Sequence, residues 1–428
     1  MSDAAGRTVV AGDGRRLRLG KLIKSGGAGS VHRVLDETAS VAKLYHATVD
    51  VATYARKIEA MLDLRPHLPE LQDGDQHIVQ LAWPQTALRD ERGRFLGFLM
   101  PLVDFDATSE LECVLQERQA RRMGLPTGLG AKVTLAANLA TVIAELHRQR
   151  HYIVDLKPVN LRFYQRSLYM AILDCDGFSI QGRGERFEAP QYTPEYLAPE
   201  FHARGLTAAG EAAQDRFALA VVVFQLLNFG IHPFTGRPQS HQVPTDIPGR
   251  IAGRWYSHGL RANASLLPTP SSGHAAMPPE LRALFDRAFD NTGATRPSAD
   301  EWSDLLRGYA QRAAGKLRAC ASDATHQHYT GHECAACARG QRIAEAAAAI
   351  ASAPRRAPAS IAPAAPRKAV NKKPPAPRKG RAGRFAKARA AVPAPPPAWV
   401  SPPPSAPLPS AAAILKALRA KPPSPAHP

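Results

Sequence analysis

A carboxylate, an ammonium group and a carboxamide fall within six residues at Asp155, Lys157 and Asn160. β-Branched residues precede this stretch and Pro158 interrupts any helix, so the three side chains are predicted to lie on a loop. Phosphoryl transfer needs a base that orients a hydroxyl, a cation that faces developing charge, and ligands for Mg²⁺. The three residues suit these tasks in that order, whereas the plain alternative is a polar surface turn.

A glycine-rich turn lies far upstream of this loop. Residues 17–23 alternate polar and apolar side chains, and the apolar pattern resumes at 31–35 after Gly26, Gly27 and Gly29. The pattern predicts a hairpin whose turn has no β-carbons, so that backbone N–H groups can approach phosphate oxygens. An ordinary tight turn gives the same pattern.

An isolated lysine, Lys43, follows within an apolar strand over residues 40–45. A buried lysine requires a counter-ion. The helical stretch 52–64 offers Glu59 for this role, and Lys57 is predicted to face elsewhere. The alternative is an exposed Lys43.

Three further elements are predicted to position these groups. Residues 93–102 form a hairpin strand that runs into a proline-stiffened connector beside an adenine slot. Residues 134–149 carry apolar side chains at helical spacing and deliver the chain to the loop. Strands over 161–164 and 168–173 then place Asp174 at an exposed strand end, where it can bind Mg²⁺.

The order of these segments resembles that of the eukaryotic-like (Hanks-type) protein kinases over roughly residues 17–310. Thr193-Pro194-Glu195-Tyr196-Leu197-Ala198-Pro199-Glu200 is similar to the family's T-x-x-Y-x-A-P-E segment letter for letter. Asp215-Arg216-Phe217 resembles the start of the helix that anchors the catalytic loop, and His232-Pro233-Phe234 and Arg296-Pro297-Ser298 match later landmarks.

The resemblance implies an α+β, bilobal fold with a β-rich lobe at 17–103 and a helical lobe at 104–315. It also implies roles for individual residues. Lys43, paired with Glu59, would hold the α- and β-phosphates of ATP, while Asn160 and Asp174 would bind Mg²⁺. The remaining nucleotide contacts would come from Gly26, Gly27, Gly29, Val31 and Met100. Catalysis would fall to Asp155, Lys157 and Thr193, and Glu200 would pair with an arginine lower in the lobe.

The chain departs from the family pattern at three places. Lys24 replaces the first glycine, and Ile153-Val154 replaces the His-Arg before the catalytic Asp, so no arginine there can bind a phosphorylated activation segment. Asp174-Cys175-Asp176 replaces D-F-G; the spacing favours Asp174 over Asp176 as the metal ligand, and Cys175 as a packing residue. The D-C-D-G-F form resembles a bacterial subgroup encoded beside phosphatase and von Willebrand-type partner proteins.

Residues 316–340 are predicted to form a small zinc knot. Cys334 and Cys337 have the C-x-x-C spacing of a zinc ligand pair, and Cys320 with either His326 or His328 would complete a tetrahedron. The window is too short for its own apolar core, so a metal would supply stability. Free thiols and solvent-exposed histidines are the alternative.

Residues 341–428 carry 16 Lys and Arg against the single acid Glu345, which accounts for +15 of the net charge of +18, and contain 20 of the 38 prolines. This composition predicts a disordered, basic tail that binds nucleic acid or a protein partner, or only solubilises the chain. Residues 1–16 are assigned to an N-terminal extension. No signal-like segment and no apolar stretch of membrane-spanning length is recognised, so we expect a cytoplasmic protein that makes no membrane contact.

The sequence therefore predicts an ATP- and Mg²⁺-dependent serine/threonine kinase acting on a protein substrate. Two alternatives remain open. A pseudokinase that serves as a nucleotide-binding scaffold is compatible with Lys24 and the altered D-F-G segment, and a small-molecule kinase is disfavoured by the Thr193–Glu200 segment.

Overall fold

The computed structural model of the chain describes residues 6–259, 263–290 and 295–352. The N-terminal lobe contains the six strands β1 (Thr8–Ala11), β2 (Arg16–Ser25), β3 (Gly29–Val34), β4 (Ser40–Tyr45), β7 (Thr86–Arg89) and β8 (Phe95–Pro101). These antiparallel strands close into a barrel in the order β1-β2-β3-β4-β8-β7. A separate hairpin comprises β5 (Leu71–Asp73) and β6 (Gln76–Ile78).

The alternation along β2 explains the barrel core. Leu17 and Leu19 are buried while Arg16 and Arg18 are exposed, because successive side chains of a strand point to opposite faces. The first strand, β1, pairs with both β2 and β7. It lies within residues 1–16, so this part belongs to the barrel and not to an extension; four residues of alternation were too short a signal.

One long helix, α1 (Val51–Asp63), packs against the barrel. It begins at the N-cap Asp50, whose carboxylate accepts hydrogen bonds from the N–H groups of Ala52 and Thr53. Its buried residues are Lys57, Ile58 and Met61. This inward face lies beside the site described below.

The C-terminal lobe is mostly helical. Its helices are α2 (Glu112–Leu115), α3 (Glu117–Arg122), α4 (Leu129–Arg148), α5 (Phe201–Arg204), α6 (Glu211–Leu227), α7 (Ile247–Ala252), α8 (Pro279–Phe289) and α9 (Ala299–Ala310). Its short strands are β9 (Thr108–Glu110), β10 (Leu161–Tyr164), β11 (Met170–Ile172), β12 (Ile180–Gln181), β13 (Arg186–Phe187), β14 (Arg237–Pro238) and β15 (Leu266–Leu267). The expected bilobal α+β architecture is therefore confirmed.

Helix α4 packs along α6 and α9 in the centre of this lobe. It begins before the predicted residue 134, at Leu129. Among the described helices, α4 is long and apolar enough to cross a membrane, judged by length and composition alone. The expectation that no stretch approaches that length is therefore wrong, although α4 has the buried apolar side chains of a core helix.

The chain continues beyond α9 into a small subdomain. A two-stranded sheet, β16 (Leu317–Ala319) with β17 (Gln327–Tyr329), precedes α10 (Ala335–Ser352). Buried Tyr329 packs edge-on against Tyr309 of α9, with ring centroids 5.3 Å apart. Because α10 runs to Ser352, residues 341–352 are helical and do not belong to a disordered tail. The rest of the predicted tail lies outside the described residues.

Candidate active site

Asp215 of α6 binds the main chain of the loop that carries Asp155. The Asp215 carboxylate is fully buried and accepts hydrogen bonds from the N–H groups of Ile153 and Val154, at 2.7 and 2.6 Å. Val154 has a φ of 64°, a conformation that β-branched residues rarely adopt. The paired hydrogen bonds hold this strained residue, as the predicted anchoring role of the Asp215 helix requires.

Asp155, Lys157 and Thr193 form a closed triangle of hydrogen bonds. The Lys157 ammonium donates to Asp155 Oδ2 at 2.8 Å and to Thr193 Oγ1 at 2.7 Å, and the Thr193 hydroxyl donates to Asp155 Oδ1 at 2.6 Å. The Asp155 side chain is 11% exposed and that of Lys157 is 22% exposed. The loop and the segment that begins at Thr193 thus meet where the sequence predicted.

Asp155 keeps room for one more donor. An ionised carboxylate has about four acceptor positions. Thr193 occupies one on Oδ1, while Lys157 at 2.8 Å and Asn160 at 3.4 Å share Oδ2. A substrate hydroxyl can therefore still donate to Oδ1.

Asn160 and Asp174 have the oxygen ligands that Mg²⁺ prefers. Asn160 donates its amide N–H to the main-chain oxygen of Asp155 at 3.1 Å, which leaves its side-chain oxygen free of that contact. Asp174 follows β11 with a φ of 53°, and its side chain is 71% exposed. Both residues fit the ion by ligand chemistry.

Lys43 is buried at the base of the N-terminal lobe and pairs with Asp176. Its ammonium lies 2.6 Å from Asp176 Oδ1 and 3.4 Å from Asp174 Oδ1. Burial alone would lower the pKa of Lys43, but the two carboxylates outweigh it and raise the pKa above its ordinary value. The lysine therefore stays charged, which is compatible with the predicted phosphate-binding role.

Glu59 is not the partner of Lys43, so that prediction is wrong. The Glu59 side chain is 60% exposed and lies 3.4 Å from Arg89 of β7. Adjacent helical positions are about 100° apart, so a residue two positions from Lys57 points to the opposite side of α1.

Lys57 occupies the inward face where the acid was expected. It is 3% exposed, and Met61, one helical turn later, is fully buried. Burial lowers the pKa of Lys57 to about 8, although the nearby Asp176 and Glu211 carboxylates act in the opposite direction. The fully buried Ile58 and Met61 were the sequence signal for this orientation, since they mark the apolar face of α1.

The glycine-rich turn closes the β2–β3 hairpin as predicted. The N–H of Gly26 donates to the carbonyl of Gly29 at 2.9 Å, while Gly26 and Gly27 are exposed. A β-carbon on Gly29 would lie 2.4 Å from the carbonyl oxygen of Leu44, so glycine is required by the close approach of β4. Lys24 lies in β2 opposite Val31.

Two predicted nucleotide contacts lie on neighbouring strands. Val31 is opposite Lys43 in the β3–β4 pair, and Met100 is opposite Val41 in the β4–β8 pair. Met100 is 8% exposed, close to where β8 ends at Pro101. Their placement on strands beside Lys43 is compatible with a shared nucleotide-facing surface.

The segment from Thr193 to Glu200 is fixed to the lobe at its far end. Arg296 makes a bidentate ion pair with Glu200, with N–O distances of 2.5 and 2.7 Å. Gln214 of α6 donates to the carbonyls of Val154 and Tyr196 at 3.2 and 2.8 Å. One side chain thus connects the Asp155 loop to this segment.

A second basic residue, Arg186, holds the stretch of chain between β12 and Thr193. Arg186 lies 2.6 Å from Glu211 and 4.7 Å above the Tyr152 ring. Ser179 also donates to Glu211, at 2.6 Å. These contacts need no phosphorylated residue, in line with the missing arginine before Asp155.

The three cysteines of the predicted knot converge. The Sγ atoms of Cys320, Cys334 and Cys337 all lie within 4.8 Å of one another, with Cys320 and Cys337 at 3.6 Å. His326 Nδ1 lies 3.5 Å from Cys337 Sγ but is not within that limit of all three sulfurs. The ring of His328 instead faces main-chain oxygens, with Nδ1 at 3.0 Å from that of Tyr329.

The chain has curated relatives among bacterial protein kinases. It is 28% identical over 344 residues to protein kinase YegI of Escherichia coli O157:H7 and 27% identical over 340 residues to that of strain K12, in both cases over 77% of this chain and 50% of the relative. It is 23% identical over 282 residues to serine/threonine-protein kinase Pkn1 of Myxococcus xanthus, over 63% of this chain and 35% of the relative. The chain thus spans about half the length of the YegI relatives.

Two solved kinase structures are also similar to the chain. The autoinhibited serine kinase domain of titin aligns with a TM-score of 0.49 and 18% identity, over 69% of this chain and 79% of that structure. The ROP18 kinase domain aligns with a TM-score of 0.47 and 14% identity, over 72% and 85%. No family model matches the sequence.

Proposed function

Because its motifs and curated relatives both point to the bacterial Hanks-type protein kinases, we propose that this chain transfers the γ-phosphoryl group of ATP to serine or threonine hydroxyls of a protein. The observation that carries the proposal is the closed triangle of Asp155, Lys157 and Thr193. A surface turn would give no reason for two polar groups of one loop and a third from a distant segment to satisfy one another at low exposure.

The triangle matches the demands of the reaction. The substrate hydroxyl donates to Asp155, its oxygen forms a bond to the γ-phosphorus, and the bond between that phosphorus and the β–γ bridging oxygen breaks to leave ADP. The hydroxyl proton passes to Asp155. Lys157 faces the charge that develops on the transferred group.

ATP and Mg²⁺ are the substrate and the ion that this chemistry needs. Lys43 would bind the phosphates beneath the Gly26–Gly29 turn, while Asn160 and Asp174 would hold Mg²⁺ through oxygen atoms. The ion, when bound, neutralises charge on the phosphates. Asp174 supports this assignment because its carboxylate is exposed, whereas that of Asp176 is 3% exposed and already paired.

Serine/threonine specificity is supported by Thr193. Its hydroxyl bridges Asp155 and Lys157, a contact that the resemblance attributes to Ser/Thr-specific members. The pseudokinase alternative is weakened because Lys43, Asp155, Asn160 and Asp174 are all present and Lys43 is paired.

The direct test measures transfer of radiolabelled phosphate from [γ-³²P]ATP to the protein itself and to a generic protein substrate, followed by phosphoamino-acid analysis. Wild type should label serine and threonine, and Asp155→Asn should not. Asp106→Asn is a matched control, because Asp106 is exposed and lies outside the site. Equal labelling by wild type and Asp155→Asn would refute the role of Asp155, and an unlabelled wild type that still binds ATP would favour the pseudokinase.

We further propose that Cys320, Cys334, Cys337 and His326 hold a structural zinc ion. In a tetrahedral zinc site, ligand sulfurs lie roughly 3.8 Å apart and a sulfur and a nitrogen roughly 3.5 Å apart, close to the 3.6 Å between Cys320 and Cys337 and the 3.5 Å between Cys337 and His326. The His326 ring would have to move closer to the remaining sulfurs when the ion binds, since it is not within 4.8 Å of all three. His326 Nε2 lies 3.4 Å from Asp323, the kind of carboxylate contact that orients metal-bound histidines. Four protein ligands leave no open position, so the ion would be structural.

Metal analysis of the purified chain tests the zinc site. Wild type should contain one zinc per chain, Cys337→Ser and His326→Ala should lose it, and His328→Ala should retain it. Full zinc in Cys337→Ser, or loss only in His328→Ala, would contradict this ligand set.

Three further predictions concern partners and location. Nucleic-acid binding by the basic tail, which beyond Ser352 lies outside the described residues, rests on its charge; truncation after Ser352 should abolish salt-sensitive retention on DNA. Phosphatase and von Willebrand-type partner proteins remain a proposal from the motif resemblance. A cytoplasmic location is supported by the five cysteines, none of which forms a disulfide bond.

A further inference from the structure

The strand lysine and helix α1 meet a carboxylate that belongs to neither of them. Asp176 lies two residues after Asp174, and its side chain is 3% exposed. One of its oxygens is 2.6 Å from the Lys43 ammonium, and the other accepts a hydrogen bond from the Tyr45 hydroxyl at 2.9 Å. Both oxygens are thus bound by side chains of the same strand, β4.

Helix α1 supplies no acid to the cluster formed by Lys43, Tyr45 and Asp176. Glu59 points away and pairs with Arg89, and the inward position is filled by Lys57. Lys57 is close enough to Asp176 for that carboxylate to favour its charged form. The charges are therefore exchanged between the two elements: the base lies on the helix and the acid on the segment after β11.

We propose that Asp176 is the positioning residue for Lys43, performing from the Asp174-Cys175-Asp176 segment the task that the family resemblance assigned to a glutamate of the helix. The inference rests on the proposed kinase function. Asp176 does not touch nucleotide; it acts by fixing the Lys43 ammonium where phosphates bind.

Two residues next to this cluster, Tyr54 and Cys175, hold Tyr45 and Asp176 in place. The Tyr45 ring packs against that of Tyr54 of α1, with ring centroids 4.3 Å apart and ring planes inclined by 30°. Burial, followed by the Asp176 carboxylate, raises the pKa of Tyr45, so its hydroxyl remains a donor. Cys175 is 1% exposed in the core and fixes the backbone between the two acids. The position of Lys43 thus depends on the same segment that presents Asp174.

Asp174 and Asp176 have different tasks in this arrangement. Asp174 is exposed and lies at 3.4 Å from Lys43, so it is available to a metal ion. Asp176 is buried, so it is available only to Lys43 and its neighbours. Replacing Asp174 should therefore affect metal binding first, whereas replacing Asp176 should affect the position of Lys43.

The test compares Asp176→Asn with Glu59→Gln in the full chain. Steady-state transfer gives kcat and KM for ATP, and equilibrium binding of the fluorescent nucleotide mant-ATP gives affinity without turnover. Asp176→Asn should lower kcat/KM by about 100-fold, because a misplaced phosphate-binding group costs roughly that much, and should weaken mant-ATP binding even without Mg²⁺. Glu59→Gln should match wild type. The opposite ranking would overturn the proposal.

A relocated carboxylate separates positioning from a merely structural role. Adding Lys57→Glu to Asp176→Asn returns an acid to the inward face of α1, where it can pair with Lys43. The double variant should recover about tenfold in kcat/KM over Asp176→Asn, the scale of one restored charged contact. No recovery of either kcat/KM or mant-ATP affinity in a folded double variant would overturn the proposal.

Folding is controlled with Tyr45→Phe, which keeps every charge and removes one hydrogen bond to Asp176. It should lower kcat/KM by a few-fold while the melting temperature stays near that of wild type; unchanged kcat/KM would count against the proposal. If wild type binds mant-ATP but transfers no phosphate, the kinase function fails. The binding comparison between Asp176→Asn and Glu59→Gln then still decides the role of Asp176.

Discussion

Replacing Asp215 with asparagine is expected to displace the catalytic loop while leaving nucleotide binding intact. The fully buried carboxylate receives the N–H groups of Ile153 and Val154 on separate oxygens. Asparagine keeps one oxygen and presents an NH₂ group to the other N–H. One charge-assisted hydrogen bond is thereby replaced by two donors that face each other.

The magnitude follows from these contacts. A hydrogen bond to a charged group contributes about 1.5–3 kcal/mol, and leaving a buried donor unsatisfied costs a similar amount. Val154 is held at a φ of 64°, and such a conformation stores on the order of 1–3 kcal/mol. The lost bond is comparable to the strain it holds, so the loop should relax to an ordinary backbone conformation. We expect the free energy of unfolding to fall by about 3 kcal/mol.

Two measurements on the same preparation check this expectation. Urea denaturation followed by tryptophan fluorescence gives the change in stability, and phosphate transfer with mant-ATP titration separates chemistry from binding. kcat should fall by about 100-fold, as expected when Asp155 is misplaced, while mant-ATP affinity should match wild type. Asp300→Asn is the control: it makes the same chemical change at an exposed pair with Arg148, where about 1 kcal/mol or less is at stake.

The reasoning is refuted if Asp215→Asn is destabilised but retains the kcat of wild type. The loop would then keep its geometry without the buried carboxylate. Loss of Mg²⁺-free mant-ATP affinity in parallel with kcat would also contradict it, since Lys43 and the Gly26–Gly29 turn, to which phosphate binding is assigned, lie on the other lobe.

Two further predictions concern stability. The Arg296 guanidinium outweighs the effect of burial on Glu200 and lowers its pKa; its stabilisation is therefore present above about pH 4.5, the ordinary Glu value, and is lost as the pH falls through the folded pKa. Glu200→Gln should reduce the loss in free energy of unfolding between about pH 4.5 and lower pH. An unchanged pH dependence of the free energy of unfolding would refute the role of the Glu200–Arg296 pair. Gly29→Ala should lower the melting temperature because its β-carbon meets a carbonyl of β4, whereas Gly27→Ala should not, since nothing lies within 4 Å.

The sequence predicted those parts of the site whose signal is local. Asp155, Lys157 and Asn160 lie on one short loop, and their contacts need only the loop to form. The Thr193 contact and the Glu200 ion pair with an arginine also match, because the resemblance fixed the order of the segments. The three cysteines of the knot also converge as predicted. Their signal is local, because all three lie within 18 residues of one another.

The partner of Lys43 could not be predicted in the same way. Which residue of α1 faces Lys43 depends on the rotation of the helix about its axis. Ile58 and Met61 mark the buried face of α1, and Glu59 does not lie on it. Asp176 gave no separate signal, because its spacing from Asp174 made it look like a competitor for the same metal. Its actual partner lies more than a hundred residues away, across the two lobes.

The exchange of charges between Lys57 and Asp176 has a consequence for regulation of this fold. Had Glu59 of α1 been the partner, as the sequence predicted, movement of α1 would separate that acid from Lys43. Here both contacts of Asp176 are to β4, so α1 can move without breaking the Lys43 pair. Movement of the Asp174–Asp176 segment, by contrast, would displace the proposed metal ligand Asp174 and release Lys43 together. We therefore expect control of activity to act on that segment, with α1 following through Lys57 and Tyr54.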